Sequence, residues 1–408
     1  MDGSNSAVPH TAPNYMGTAI SPMHETELNP FTSDSAMCGS CHNVTNPLTG
    51  IAEQRTFSEW AASDFADPAK PEFATCQECH MPKSPGLNNA CSLLGLDPTY
   101  GFYSKLRLDL PSHRFAGANA WVPQLFKILY PNVDQVWKTG SNFTGFLFFG
   151  SASRDILWDD VSNEVVSTMA RAAEVNMTAT ETTPGVIDAA VSIENKTGHK
   201  LPTGYPEGRR MWIQVKAFDA NDTPFFVSGV QDSNSELILD ANIKVYEMHM
   251  ASENAVLGIP NQDTFHFLLN NKISKDNRIH PKGMIQQKGM GGTDSFDPVL
   301  APWPLGGLYP DNHYIDTTNY QITVPAGTLR PIKVTATVFH QVSSFEYVDF
   351  LANGGDALNS TLPSPNMAIV RNLWLTGLPA PAISVGYVGL SSTPDPSSPN
   401  ATVMSILP

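Results

Sequence analysis

Charged side chains are scarce in this sequence, and basic ones are the scarcer kind. Charged residues make up 15% of the 408 positions, and 39 acidic residues against 24 basic ones give a formal net charge of −15. A chain this acidic lacks the basic surface that nucleic acids and anionic membranes attract. Runs of roughly 18 or more apolar residues are also missing, so the sequence predicts no transmembrane helix.

Several common catalytic motifs are absent as well. The sequence contains no Gly-x-Ser-x-Gly nucleophile turn, no HExxH helix and no GxxxxGK[ST] phosphate loop. Asp- and Asn-rich turns offer oxygen ligands, but their spacing is not that of an EF-hand. Hydrolytic and nucleotide-driven chemistry therefore has no motif to support it.

Cysteine is rare too, yet four of the five cysteines share one pattern. Cys38-Gly39-Ser40-Cys41-His42 and Cys76-Gln77-Glu78-Cys79-His80 both read C-x-x-C-H. In that pattern the two thiols add to the vinyl groups of one haem, and the histidine binds the iron. Zinc half-sites or redox dithiols are the alternative, but they leave the histidine after each pair unexplained.

The two motifs thus predict two haem c groups. Their thioether anchors would be Cys38, Cys41, Cys76 and Cys79, and the proximal iron ligands His42 and His80. We expect the remaining cysteine, Cys91, to be a small buried apolar residue.

Haem c is attached to proteins outside the cytoplasm, so the motifs also predict where in the cell this protein lies. Residues 1–6 have neither the basic stretch nor the apolar stretch of a signal peptide. We therefore expect a mature chain that is secreted, displayed on the cell surface or held in the periplasm.

The opposite side of each iron needs a second ligand or remains open to substrate. The main distal candidates are His24, 14 residues before the first motif, His113 after the second motif, and His199 in a Gly- and Pro-bounded loop. For each, a hydrogen-bonded surface or core histidine is the alternative. Met23 and Met37 are competing ligands, and Met81 is too close to His80 to reach the opposite face. Less favoured histidines are His10, His249, His266, His280, His313 and His340.

The fold class predicted is α+β, with a loop-rich N-terminal di-haem domain that contains a few helices, then an antiparallel β-sandwich. The expected divisions are a haem-binding region at 1–115, a helical segment completing it at 116–184, the β-sandwich at 185–390 and a Pro/Ser-rich tail or arm at 391–408. A capping box, Thr56 with Glu59, predicts a short helix between the motifs. Apolar stripes at 121–129 and 157–173 predict two more helices, and alternation at 211–217 and 332–338 predicts strands.

The chain resembles a family of multihaem cytochromes c from bacteria and archaea. The resemblance spans roughly residues 20–280 and includes both C-x-x-C-H motifs, Pro22-Met23-His24 and the segment 113–119. In the β-rich part it includes the segments 197–206, 209–210 and 276–279. It implies extracytoplasmic electron transfer, with two haem c groups here.

Three hypotheses for the function follow. The first is an electron carrier with two bis-histidine haems, whose partners are other redox proteins or copies of itself. Two haems carry an electron only a short distance. The electron-carrier hypothesis therefore extends to a cytochrome filament in which one histidine binds a haem iron across a subunit interface. The second is a redox enzyme with one five-coordinate haem that acts on a small nitrogen or oxygen substrate. The third is a structural or adhesive β-sandwich that the haem domain links to a larger complex.

Overall fold

The structure, a computed structural model, describes residues 30–87, 106–111, 114–129, 151–253, 262–284, 313–353, 365–391, 402–403 and 405–406. Within these ranges the chain forms seven α-helices, and its strands pair in antiparallel sheets. The fold is mixed α+β with a β-rich C-terminal part, as predicted. His10, His24, Cys91 and His113, as well as Met23, lie outside the described residues.

Short elements joined by loops carry the two C-x-x-C-H motifs. They are α1 (Ser35–Gly39), β1 (Val44–Thr45), β2 (Ala52–Gln54), α2 (Thr56–Ala61), α3 (Cys76–His80), β3 (Lys83–Leu87) and β4 (Leu106–Pro111). β1 pairs with β2, and β3 pairs with β4. Helices of five or six residues are marginal without tertiary contacts. This part therefore depends on the rest of the chain and on whatever its motifs bind.

Two longer helices follow, α4 (Trp121–Leu129) and α5 (Ser151–Met169). The stripe predicted on α4 is buried at Trp121 and Leu125. The stripe predicted on the second helix extended to Ala173, but α5 ends at Met169 and Ala173 begins a strand. The strands therefore begin before residue 185, the predicted start of the β-sandwich. From Ala173 onward, buried and exposed side chains alternate, which is the pattern of a β-strand.

Two antiparallel sheets form the C-terminal part. The larger runs in the order β10 (Gln262–Asp263), β9 (Lys244–Ser252), β7 (Arg210–Phe218), β13 (Lys333–Gln341), β14 (Ile383–Ser391) and β16 (Ser405–Ile406). β11 (Lys272–Asp276) also pairs with β9, and β8 (Pro224–Ser228) with β7. The smaller sheet has the order β12 (Ile315–Thr323), β6 (Val186–Asn195), β5 (Ala173–Thr183) and β15 (Thr402–Val403).

The main hydrophobic core combines apolar side chains from the two sheets. On β6 the alternating residues Ile187, Val191 and Ile193 are fully buried, and on β13 so are Val334 and Val338. Burying each such side chain contributes about 1.5–3 kcal/mol. This core fixes the strand ends from which the loops of the site arise.

A second, smaller core lies among helices. It includes residues of α4, of α6 (Phe345–Asn353) and of α7 (Pro365–Leu375). Trp121 meets Trp374 edge to face, with ring centres 5.5 Å apart. α4 therefore packs on the C-terminal helices.

Two short strands among the last described residues pair with the sheets. Thr402–Val403 pairs with β5, and Ser405–Ile406 pairs with β14. No helix in the described ranges is both long and apolar enough to cross a membrane.

Candidate functional site

The first C-x-x-C-H motif forms one helical turn. Asp34 caps α1 by accepting a hydrogen bond from the Ala36 backbone N–H at 2.8 Å. The His42 N–H then donates to the Cys38 carbonyl at 2.9 Å, which continues the turn past Cys41. The turn brings both cysteines and the histidine into one compact group, and neither thiol is in a disulfide.

The second motif is a helix in its own right. Thr75 and Glu78 form a capping box: the Thr75 N–H donates to Glu78 Oε2 at 2.7 Å, and the Glu78 N–H donates to Thr75 Oγ1 at 3.3 Å. α3 then runs from Cys76 to His80, and both of its thiols are free. This capping box starts the helix at Cys76, the first cysteine of the motif.

The two motifs pack against each other. The Cys76 N–H donates to Ser35 Oγ at 3.0 Å, and the buried Gln77 side chain donates to the carbonyls of Thr32 and Asp34. Burial raises the pKa of the Cys38 thiol to about 11, and the neighbouring Cys76 adds to the shift. Groups anchored at the two motifs would therefore lie close together.

His80 faces His199, one of the predicted distal candidates. The ring centres are 6.3 Å apart and the ring planes differ by 19°. Two histidines that held one metal ion between them, each through a ring nitrogen at about 2 Å, would have ring centres about 6 Å apart. The pair therefore has the separation that a shared haem iron requires.

The hydrogen bonds of the two imidazoles also suit metal binding. His80 Nδ1–H donates to the Ala116 carbonyl at 2.8 Å, and His199 Nδ1–H donates to the Lys200 carbonyl at 3.1 Å. A proton on Nδ1 leaves the Nε2 lone pair available to a metal. Burial and the neighbouring His80 lower the pKa of His199 to about 4, so this imidazole is neutral at pH 7.

A buried asparagine holds the loop that carries His199. Asn195 Nδ2 donates to the His199 carbonyl at 2.8 Å, and its Oδ1 accepts from the Thr197 N–H at 2.8 Å. Gly198 brings this loop against the N-terminal part, since a Cβ there would lie 2.8 Å from Trp60 Cδ1 and 3.1 Å from Phe65 Cβ. The loop therefore depends on glycine for its close approach.

Four buried charged residues join the same loop to the N-terminal part. Arg278 Nη1 lies 3.2 Å from Glu59 Oε1, and Lys200 Nζ lies 2.9 Å from Asp276 Oδ2. Arg278 also donates to Asp276 from Nε and Nη2, and the Lys200 N–H donates to Glu59 Oε2. Arg278 and Lys200 hold the pKa of Asp276 well below its usual range despite burial. We call Glu59, Lys200, Asp276 and Arg278 the ion quartet.

His42 has a different neighbour. Its Nδ1 lies 3.0 Å from the amide nitrogen of Gln54. A half turn of that amide presents its oxygen instead, which then accepts from Nδ1–H and frees Nε2 for a metal. The predicted candidates His24 and His113 lie outside the described residues, so the structure does not pair either of them with His42.

The less favoured histidines and methionines have other surroundings. His249 lies beside Glu247, His313 beside Asp316 and His266 against the Phe350 ring, while Met81 is buried and Met37 is exposed. His280 and His340 are buried, and burial lowers the pKa of each to about 3. For His340 this agrees with the predicted position on the buried face of its strand.

No three or more His, Cys, Asp or Glu side chains in the described ranges converge to hold a metal ion by themselves. Haem does not need such a cluster, because the porphyrin supplies four nitrogens and the protein only the axial ligands. An opposed histidine pair beside free thiols, such as His80 and His199 beside Cys76 and Cys79, fits haem c.

Sequence reasoning missed three parts of this arrangement. These parts are the Ala116 carbonyl, the Gln54 amide and the ion quartet. Ala116 lies 36 positions from His80, and Glu59 lies 141 positions from Lys200, whereas Gln54 is only 12 positions from His42. The segments that contain Lys200, and Asp276 with Arg278, are part of the family resemblance. The resemblance does not show that these residues pair with one another.

Comparisons with known proteins give little further guidance. No family model matches the chain, and no curated protein matches it. Among solved structures, it is similar to the crystal structure of a penta-heme cytochrome c552 from Thermochromatium tepidum, with a TM-score of 0.45 and 14% identity. That alignment covers 92% of this chain and 62% of the other, so this chain spans less than two thirds of its neighbour's length. A likeness of this size does not establish a shared fold.

Proposed function

We propose that this chain is an extracytoplasmic electron-transfer protein that binds haem c at its two C-x-x-C-H motifs. The observation that carries the proposal is the His80–His199 pair, with ring centres 6.3 Å apart. Its two Nδ1 atoms are engaged by carbonyl groups, so both Nε2 atoms are available to one iron. When bound, haem c supplies reversible one-electron chemistry at iron.

The chain's residues have distinct tasks in this proposal. The thiols of Cys76 and Cys79 anchor the group through thioether bonds, and the carbonyls of Ala116 and Lys200 fix the orientation of the two imidazoles. His80 and His199 would together supply both of the ligands that the porphyrin leaves to the protein. This favours electron transfer over turnover of a substrate bound to iron.

The first motif is proposed to hold a second haem c. Cys38 and Cys41 would anchor it and His42 would be its proximal ligand, with His24 and His113 as distal candidates. Because Cys38 and Cys76 are neighbours, an electron would have a short path between the two groups within one chain.

Location and partners extend the proposal. Haem c attachment implies a position outside the cytoplasm, and a two-haem chain needs either other redox proteins or further copies of itself to conduct electrons over a distance. Mass photometry tests the homopolymer directly. Assemblies at micromolar concentration support it, and a stable monomer contradicts it.

Intact mass and ferric spin state test the function together. We expect purified protein to carry two covalent haems and to be low-spin at the second motif's iron. His199→Ala should convert one iron to a high-spin form, whereas His249→Ala, which alters a partly exposed histidine beside Glu247, should not. A high-spin iron in the unaltered protein would instead favour the redox enzyme with one five-coordinate haem.

A further inference from the structure

A continuous series of hydrogen bonds joins His42, the proposed proximal ligand at the first motif, to the ion quartet. His42 Nδ1 lies 3.0 Å from Gln54 Nε2, and the same nitrogen lies 3.3 Å from Thr56 Oγ1. Thr56 Oγ1 lies 3.0 Å from Thr203 Oγ1, which lies 2.7 Å from Glu59 Oε2. We call Gln54, Thr56, Thr203 and Glu59 the Glu59 network.

The Glu59 end of this network can only accept hydrogen bonds. The Glu59 side chain is buried, and its Oε1 lies 3.2 Å from Arg278 Nη1. Its Oε2 also accepts from the Lys200 N–H. A carboxylate in such an ion pair has no proton to donate. The Thr203 hydroxyl must therefore donate to Glu59 Oε2.

The direction of each remaining bond follows, because a threonine hydroxyl has only one proton. Thr203 uses its proton on Glu59, so Thr56 donates to Thr203. Thr56 then has no proton left, and the Gln54 amide must donate to Thr56. The network therefore favours the orientation in which the Gln54 –NH₂ group faces both Thr56 and His42.

Iron binding by His42 requires the opposite orientation of the Gln54 amide. With Nε2 on iron, Nδ1 carries a proton and needs an oxygen that accepts it. An amide –NH₂ group only donates, so Gln54 supports the iron-bound imidazole only after a half turn. The turned Gln54 oxygen would face a Thr56 hydroxyl whose proton is directed at Thr203. The half turn therefore sacrifices a hydrogen bond of the network.

We propose that the Glu59 network denies His42 an acceptor and thereby raises the reduction potential of the first haem, an inference that rests on the proposed function. His80 shows the alternative, since its Nδ1–H donates to the Ala116 carbonyl at 2.8 Å. Such a bond makes an imidazole a stronger electron donor to iron, which favours the ferric form. Thr56 and Thr203 are therefore positioning residues that act on His42 through Gln54.

Spectroelectrochemical titration of the haem-loaded protein tests this proposal. Thr203→Val removes the hydroxyl that accepts from Thr56, so the Thr56 proton becomes available to a turned Gln54 side chain. The Gln54 oxygen can then accept from His42 Nδ1–H. The first haem should shift about tenfold toward the ferric form, a fall of about 59 mV in its potential, while the second haem should not change.

Four further variants identify the haem and the route of the effect. Cys38→Ala combined with Cys41→Ala removes the anchors of the first haem and so shows which transition belongs to it. Thr203→Ser keeps the hydroxyl and should keep the original potential. Gln54→Leu has no oxygen to present, so adding Thr203→Val to it should change nothing. Thr328→Val is the matched control, because that hydroxyl donates to a backbone carbonyl in an exposed turn.

The outcomes separate this proposal from the proposed function. A mass that lacks the haem at Cys38 and Cys41 contradicts the proposed function at this motif, and the present proposal with it. With both haems attached, a first-haem potential that Thr203→Val leaves unchanged or raises overturns the present proposal alone. A fall that persists with Gln54→Leu also overturns it, because Gln54 would not transmit the effect. If Thr203→Val fails to fold, Thr56→Val has the same expected result, since it also releases Gln54.

Discussion

The carboxylate of Glu59 lies 3.2 Å from the guanidinium of Arg278, and both side chains are buried. Glu59 belongs to α2, between the two C-x-x-C-H motifs, and Arg278 follows β11 in the β-rich part. The Glu59 carboxylate also accepts from the backbone N–H of Lys200, next to His199. This pair therefore links the segment between the motifs to the loop that carries the candidate iron ligand.

Glu59→Ala should lower the free energy of unfolding by about 3–5 kcal/mol, because it leaves Arg278 buried without one of its two acidic partners. Guanidinium unfolding of the haem-loaded protein, followed by far-UV circular dichroism, measures this. Glu174→Ala is the control, since that carboxylate is exposed and its removal should lower stability much less. Equal stability losses in the two variants would count against the importance of the ion quartet.

Gly198→Ala should displace the loop that carries His199, because the added methyl group would meet Trp60 and Phe65. We expect a loss of about 1–3 kcal/mol in stability and a partial high-spin ferric signal. Gly117→Ala is the matched control, since its added methyl group has no heavy atom within 4 Å. A low-spin Gly198→Ala protein with full stability would show that the loop tolerates the methyl group.

His340→Leu should stabilise the protein by about 1–3 kcal/mol, because both ring nitrogens are buried without a hydrogen-bond partner in the described residues. The gain should be larger in acid. Burial holds the pKa of His340 at about 3 in the folded protein, below the unfolded value of about 6.5. Its neutral form therefore supports folding above pH 6.5, and this support is lost as the pH falls toward 3. Thermal unfolding of both proteins from pH 7 to pH 4 compares them; a variant that is less stable at both ends contradicts the prediction.

Two buried acids that share the Asn270 amide, Glu53 and Glu207, predict the opposite dependence of stability on pH. The folded pKa values of Glu53 and Glu207, about 7 and about 8, exceed the ordinary 4.5, so the folded state holds more protons than the unfolded state between these limits. The contribution of these acids to stability should therefore fall as the pH rises from about 5 to 8. Melting temperatures of the unaltered protein and of Glu207→Gln should diverge as the pH rises through this range, because the variant has no proton to lose at this position. An equal fall in both proteins would contradict the prediction.

The motifs of the candidate site could be identified from the sequence, but the contacts that support them could not. Both C-x-x-C-H motifs and the loop of His199 could be identified because their residues are adjacent in the chain. The helix predicted from Thr56 and Glu59 is present, but the predicted capping box does not form. Arg55 occupies the N-cap position, and Glu59 points to Lys200 and Arg278 instead. The capping box that does form is Thr75 with Glu78.

Long-range contacts explain what could not be predicted. Glu59 and Lys200 are 141 positions apart, and Asn46 and Asn270 are 224 apart. No local pattern shows that such residues meet. The end of the second helical stripe was missed for a local reason, since Ala173 fits both a four-residue helical repeat and the alternation of β5.

Ferric electron paramagnetic resonance of the haem-loaded protein and of His199→Ala tests whether His199 binds the iron at the second motif. We expect a low-spin iron at this motif in the unaltered protein and a high-spin iron there in His199→Ala, while the mass of two attached haems is unchanged. An unaltered spin state in His199→Ala, or a purified protein without covalent haem, would contradict it.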